Sequence, residues 1–239
     1  MTQYGIQLYS VYDKAEADPK ATIEKIASIG YKYVETAGFY GLSAVDFKAI
    51  VDGAGLKVSG GHIGFDEAER DFAGIVNYLH TIECENYIVP WADWNADFTR
   101  NIELINKYQP LLKKEGINLM FHNHSDEFLP IGPNGESAIE AMLKETDIKL
   151  EIDTYWAFVA GADPVKFITD NKDRINFIHL KDGTQSGNGK PLGRGEAPVL
   201  KVRDTAVKLG FTMVVENEGG GSDSLDEAAE CYNFLASNK

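Results

Sequence analysis

Short apolar runs of strand length alternate with longer segments of helical spacing along the whole chain. The first run, Tyr4-Gly5-Ile6-Gln7-Leu8-Tyr9, precedes a helix predicted over Asp18 to Ile29, where Ile23, Ile26 and Ala27 share a face and Gly30 ends the pattern. Strand patterns recur at Tyr31 to Glu35, Leu56 to Ser59, Tyr87 to Val89, Ile117 to His122, Ile148 to Asp153, Ile175 to His179 and Phe211 to Glu216. Helices are predicted between them at Ser43 to Ala54, Asp66 to Ile82, Asp97 to Glu115, Ser137 to Lys144, Pro164 to Asn171 and Ala197 to Leu209. Ser43 serves as an N-cap, and a last helix covers Ser224 to Ala236. In the longest helix, Ile102, Leu104, Ile105, Tyr108 and Leu112 form one apolar stripe.

Strands that alternate with helices build a parallel sheet. Eight such pairs in 239 residues, with no linker or shift in composition, predict an α/β fold: a single-domain (β/α)8 TIM barrel over residues 1–239. An open doubly wound sheet is the fallback. A dinucleotide-binding version of it would carry GxGxxG after the first strand, where this chain reads Tyr9-Ser10-Val11-Tyr12-Asp13. Gly219-Gly220-Gly221, after the eighth strand, offers a place for a phosphate or a sugar oxygen.

Composition narrows the partners. The 37 acidic residues outnumber the 23 basic ones, and the formal net charge of −14 would repel a nucleic-acid backbone. No run approaches the roughly 20 apolar residues of a membrane span, and Met1 to Lys14 lacks a basic region followed by an apolar one. A cytoplasmic protein with neither nucleic-acid nor membrane partners is expected. Cys84 and Cys231 lie far apart and form no CxxC pair, so two buried thiols are expected rather than a disulfide or zinc cluster.

In a closed barrel the C-terminal strand ends form the active face. Here those ends carry or lead to Glu35, His62, Trp91, His122-Asn123-His124, Asp153, His179 and Glu216. Alternation gives His122 and His124 one parity, and likewise Glu151 with Asp153 and Glu216 with Glu218. Any one of these residues could simply face water. Two histidines and two carboxylates from four different strands converge only if the barrel closes, and that mixture of nitrogen and oxygen donors suits Mn, Zn, Co or Fe. The ligand set expected is His122, Asp153, His179 and Glu216, with His124 competing for the first position. The cofactor expected is one divalent ion, Mn2+, Zn2+, Co2+ or Mg2+.

Lys181 stands two residues beyond His179, where an ammonium could neutralise an enolate or a phosphate or else face solvent. Trp91, Trp94 and Trp156 follow strand ends and read either as a wall for a sugar ring or as packing under a loop. Arg194, in Gly193-Arg194-Gly195, either reaches an anionic substrate group or is a solvated loop residue. Glu35, His62, Trp91, Trp156 and Arg194 form the expected substrate-binding set, and His80 reads as structural.

The phrases Phe121-His122-Asn123-His124 with Glu127-Phe128, Glu151-Ile152-Asp153-Thr154-Tyr155-Trp156, Phe177-Ile178-His179-Leu180-Lys181-Asp182, Gly193-Arg194-Gly195 and Val214-Val215-Glu216-Asn217 resemble the xylose isomerase-like TIM barrels, the sugar phosphate isomerase/epimerase family. The resemblance covers essentially the whole chain. It implies one metal held by a residue from each of the last four strands, the same set reached from the strand ends. Ketose epimerases of the family usually carry Glu at the strand-five position and pair it with the strand-eight Glu. Here that position reads His122, which leaves Glu216, His124 or Lys181 to share the proton transfers. The family's endonucleases bind several zinc ions, one through a His just after the strand-six Asp, where this chain has Thr154-Tyr155-Trp156.

The resemblance therefore implies a metal-dependent sugar or sugar phosphate isomerase/epimerase that removes a proton next to a carbonyl through a metal-stabilised enediolate. Glu216 is the expected base, His124 the partner that returns the proton and Lys181 the electrostatic support. A dehydratase or lyase on a keto-sugar or keto-cyclitol is the near alternative, and a non-catalytic sugar-binding barrel is the alternative from another class. A small-molecule carbohydrate is the expected partner, and homo-oligomerisation stays open.

Overall fold

The computed structural model describes residues 2–217 and 224–238. Eight strands pair in parallel: β1 (Tyr4–Gln7), β2 (Tyr33–Ala37), β3 (Lys57–His62), β4 (Asn86–Val89), β5 (Asn118–His122), β6 (Lys149–Asp153), β7 (Ile175–Leu180) and β8 (Thr212–Val215). Each pairs with its sequence neighbours, and β8 returns to β1, so the sheet closes into a barrel. The helices at Pro19–Ile29, Ala44–Gly53, Phe65–Thr81, Trp94–Lys114, Ala138–Glu145, Pro164–Asp170, Val199–Leu209 and Ser224–Ser237 correspond one for one to those expected, with ends displaced by a few residues. Glu216 lies just past β8, yet its N–H still donates to the Leu180 carbonyl at 3.1 Å.

Strand alternation sorts the barrel residues into two sets. One parity, including Ile6, Val34, Val89, Phe121, Ile152, Ile178 and Val215, joins the large core between sheet and helices. The other parity supplies a separate apolar cluster of Ile88, Met120, Phe177 and Val214, one residue from each of β4, β5, β7 and β8. Such a four-residue layer fills a barrel rather than leaving a pore. Two residues further along the chain from three of its members stand His122, His179 and Glu216, all buried. The apolar layer thus forms a floor, worth about 1.5–3 kcal/mol per large side chain, and the polar groups rest on it.

Among the described residues, five short pieces escape a reading by periodicity, one of them the 3-10 turn Lys172–Arg174. The others are the 3-10 turn and helix over Leu8–Val11 and Tyr12–Ala17, the 3-10 turn Asp126–Phe128, the helix Thr154–Val159, and a hairpin pairing Asp182–Gly183 with Gly189–Lys190. Each is too short to display a repeat. The helix Trp94–Lys114 starts before its expected position because Asp93 caps a first turn, its Oδ1 accepting from Ala96 N at 2.9 Å. Asp97 then leaves helical geometry at φ −135°, so the long regular stretch begins near the position read from sequence.

Cys84 and Cys231 are buried and unpaired, as expected. His80 plays the structural part expected of it, with Nε2 2.9 Å from the Glu115 carbonyl. Among the described residues no helix is long and apolar enough to cross a membrane.

Candidate active site

Because β5, β6, β7 and the end of β8 are adjacent, their terminal side chains meet. One donor atom from each of His122, Asp153, His179 and Glu216 lies within 4.8 Å of all the others, and all four residues are buried. The strand-five member of this group is His122, while His124, the other candidate, sits beside it with ring centroids 5.2 Å apart. A second group, His62, His122, Glu151 and His179, meets the same distance limit and shares two histidines with the first.

Asp153 is held by the helix it starts. Its Oδ1 caps Thr154–Val159, accepting from Tyr155 N at 2.8 Å and Trp156 N at 2.9 Å. Oδ2 is buried and makes no hydrogen bond. Asn123 locks the backbone beneath: Asp153 N donates to its Oδ1 at 3.0 Å, and its Nδ2 donates to the Asp153 carbonyl at 3.2 Å. An acidic cap thus spends one oxygen on the helix and keeps the other for something else. Two imidazoles, two carboxylates and a buried oxygen without a partner fit a divalent cation in donor type and number.

His179 is engaged on both ring nitrogens, Nδ1 2.6 Å from Glu216 Oε2 and Nε2 2.8 Å from Glu35 Oε1. His62 Nε2 bridges Glu151 Oε2 at 2.9 Å and Glu35 Oε1 at 3.1 Å. Four buried carboxylates therefore face three histidines and Lys181, whose Nζ lies 3.5 Å from Glu216 Oε1. Burial alone would raise Glu216, but the Lys181 ammonium, a hydrogen bond with His179 and that ring's charge hold it well below the usual carboxylate range. Burial likewise opposes ionisation of Glu151, and the His179 charge with hydrogen bonds from His122, His179 and His62 overcomes it. Asp153 lacks comparable support, and burial pushes it up to about 7. Burial drives His122 down to about 3. Against the same penalty, the charges of Glu35 and Glu151 raise His62 to about 9, and those of Glu151 and Glu35 raise His179 well above its ordinary value.

A pocket of about 470 Å3 opens over these groups, lined by Tyr9, Ala37, Gly38, His62, Pro90, Trp91, His122, His124, Trp156, Lys181 and Glu216. Of the expected substrate-binding residues, His62, Trp91 and Trp156 are in this lining. Glu35 is not. It is fully buried and hydrogen-bonded to Gln7 and His179, which corrects its reading as a substrate contact. Arg194 is also outside the lining, its side chain 64% exposed and paired with Glu230. The structural weight of Gly193-Arg194-Gly195 lies in its backbone. The N–H groups of Gly193, Gly195 and Ala197 donate to the buried Asp182 carboxylate at 2.9, 3.0 and 3.1 Å. Trp94 faces the core against Phe98 and Phe121 rather than joining an aromatic wall.

Sequence reasoning missed Tyr9 as a lining residue, Glu35 and Glu151 as partners of the histidines, and Gln7 as a partner of Glu35. The shared parity of Glu151 and Asp153 was the available signal. Glu218 and Gly219-Gly220-Gly221 lie outside the described residues.

The family model of the xylose isomerase-like TIM barrel matches residues 23–237. An inosose dehydratase from Geobacillus kaustophilus (strain HTA426) is 22% identical over an alignment of 190 residues that covers 67% of this chain and 60% of that protein. This chain thus spans about 60% of that relative's length. A sugar phosphate isomerase/epimerase from Parabacteroides distasonis ATCC 8503 superposes with a TM-score of 0.82 at 22% identity, covering 98% of this chain and 93% of that one. D-psicose 3-epimerase from Clostridium cellulolyticum H10, solved with D-tagatose, gives a TM-score of 0.73 at 15% identity over 99% and 98% of the two chains. The closed barrel and a family match that runs over most of the sequence agree: this chain belongs to the xylose isomerase-like TIM barrel family.

Proposed function

We propose that the protein is a divalent-metal-dependent enzyme that isomerises or epimerises a small sugar or sugar phosphate by moving a proton next to a carbonyl. The observation that carries this reading is the convergence of four buried donors from neighbouring strands at a pocket lined by His124, Lys181 and Trp156. His122, Asp153, His179 and Glu216 would hold one ion, Mn2+, Zn2+, Co2+ or Mg2+. When bound, such an ion supplies Lewis-acid stabilisation of negative charge beside the reacting carbon.

The remaining chemistry falls to the side chains. Glu216, kept ionised by Lys181 and His179, takes the carbon-bound proton at its carboxylate, and a positioned base of this kind contributes about 10²–10⁴-fold. His124 returns the proton. The hydrogen bond from its backbone N to Glu127 Oε2, 2.8 Å long, holds it at the mouth. Lys181, buried and 5.0 Å from the Trp156 ring centroid, offsets developing negative charge. Trp91 and Trp156 offer apolar faces to a sugar ring, and Trp156 Nε1, buried and without a hydrogen bond, is a donor available to a hydroxyl.

A dehydratase acting on a keto-sugar or keto-cyclitol is the second reading, favoured by the inosose dehydratase relative. Both readings use the same base and differ in whether a proton returns or a hydroxyl leaves. Metal analysis of protein purified without chelator tests the shared part: a stoichiometric divalent ion supports both readings, and retained sugar binding without one supports a non-catalytic module. Incubation of candidate keto-sugars in deuterated water, followed by NMR, separates the two enzymes. Deuterium incorporation without loss of water supports the isomerase/epimerase, and loss of water supports the dehydratase.

A further inference from the structure

A tier of carboxylates lies among the proposed ligands but outside the ligand set, and its construction is specific. Glu35 on β2 is fully buried, and its Oε1 is the common acceptor for Gln7 Nε2 at 2.8 Å, His179 Nε2 at 2.8 Å and His62 Nε2 at 3.1 Å. Gln7 on β1 is itself fixed, since its Oε1 accepts from Tyr9 N at 3.0 Å. The amide therefore has one orientation, with nitrogen toward Glu35.

The sheet makes room for this carboxylate. The β2–β3 register shifts between Val34 and Glu35, so that Glu35 pairs with Gly60. A Cβ on Gly60 would sit 3.1 Å from Glu35 Oε2 and 2.4 Å from Ile88 Cδ1. Among the described residues, the only other register shift between barrel strands falls between Leu150 and Glu151, immediately before the second carboxylate of the tier. Register irregularities next to active sites re-aim side chains. Here both fall where a carboxylate is turned toward a histidine.

The consequence concerns which nitrogen of His179 is available. An imidazole ligates a cation through an unprotonated nitrogen, and a hydrogen bond at the other nitrogen decides which one that is. His179 Nδ1 faces Glu216, on the side of the ligand set, while Nε2 points at Glu35. We propose that Glu35 is a positioning residue for the cation: it accepts the Nε2–H of His179 and thereby presents Nδ1 to the ion beside Asp153 and Glu216. This inference rests on the metal-site reading above. It assigns Glu35 neither to the substrate nor to the ligand shell.

The test titrates chelator-stripped wild type, Glu35→Met and Glu35→Gln with Co2+, read by visible absorption. It also records long-range 1H–15N NMR spectra of the Zn2+-loaded proteins. Wild type is expected to bind one Co2+ per chain and to show His179 coordinated through Nδ1 with a proton on Nε2. Glu35→Met, which removes the nearer acceptor at similar volume and leaves only Glu151 Oε1, 3.2 Å from Nε2, is expected to weaken Co2+ binding about 10–100-fold and to mix the two coordination modes. Glu35→Gln, which keeps an acceptor oxygen, is expected to recover part of the loss. A Glu35→Met dissociation constant within threefold of wild type overturns the proposal, as does wild-type coordination through Nε2 or a second Co2+ that depends on Glu35. If circular dichroism shows Glu35→Met unfolded, Glu35→Gln decides: Co2+ binding weaker than wild type with mixed His179 coordination supports the proposal, and unchanged binding and coordination overturn it. Wild type that binds no Co2+ removes the metal-site reading and this inference together, whereas normal wild-type binding with insensitive variants removes this inference alone.

Discussion

Glu127 is 1% exposed, and its Oε2 accepts the backbone N–H of His124, the residue assigned to return the proton. Burial pushes its carboxyl up from the ordinary 4.5 to about 7. A raised carboxyl pKa means that the folded state binds the proton more tightly than the unfolded one. The associated stability is fully present below about pH 4.5 and is lost as pH rises through 7. At 1.36 kcal/mol per pH unit, the interval corresponds to about 3 kcal/mol. Glu127→Gln keeps an oxygen to accept from His124 N and carries no charge at any pH. The variant should therefore match wild type near pH 4.5 and exceed it by about 3 kcal/mol at pH 8, roughly 6–12 °C in unfolding temperature for a chain of this size. Paired thermal unfolding curves followed by circular dichroism at pH 4.5, 6 and 8 isolate the effect, because other titrating groups are common to both proteins. A difference between the two proteins that does not change with pH would refute the argument, and a variant less stable at pH 8 would reverse its sign.

The other predictions concern the ligand set and the loop beyond it. Asp153→Asn and His179→Ala should lose stoichiometric metal, measured by elemental analysis, and activity, while far-UV circular dichroism stays close to wild type. A divalent ion at 100 times its dissociation constant should stabilise wild type by about 2.7 kcal/mol against urea, and the same addition should leave Asp153→Asn unmoved. Asp182→Ala strands the N–H groups of Gly183, Gly193, Gly195 and Ala197, all of which donate to this carboxylate. A loss of about 3 kcal/mol is expected, together with new protease cleavage between residues 183 and 197, read by mass spectrometry.

The apolar runs made nearly all of the barrel legible, because each strand and helix buries a face and so must show a period. Parity carried that reading into the site: residues two apart on one strand share a side, so His122, His179 and Glu216 follow from the same alternation that puts Met120, Phe177 and Val214 in the floor. What parity leaves out is the partner. Nothing local to Glu35 or Glu151 announces the register shifts that precede them, and these depend on how a neighbouring strand pairs. Trp91 and Trp94 illustrate the same limit at a turn. Asp93 starts a helix between them, leaving Trp91 62% exposed at the pocket and sending Trp94 into the core. Arg194 misled for another reason. Its charge drew attention from two flanking glycines, and at Gly193, with φ +85° and the Phe234 ring where a Cβ would stand, the backbone rather than a side chain does the binding.

The charge inventory of the mouth favours the proposed metal site over a purely stabilising role. Removing an ionised carboxylate from water costs several kcal/mol unless partners repay it, and four are buried here: Glu35, Glu151, Asp153 and Glu216. His62 and His179 take up Glu35 and Glu151, and Lys181 with His179 takes up Glu216. That pairing leaves Asp153 short, with one oxygen spent on a helix N-terminus and the other making no hydrogen bond. An apolar residue in its place would fill the barrel at less cost, as Ile88, Met120, Phe177 and Val214 do in the layer below. Asp153 is also a member of the four-residue donor group, so a cation held there, as proposed above, would supply the missing charge.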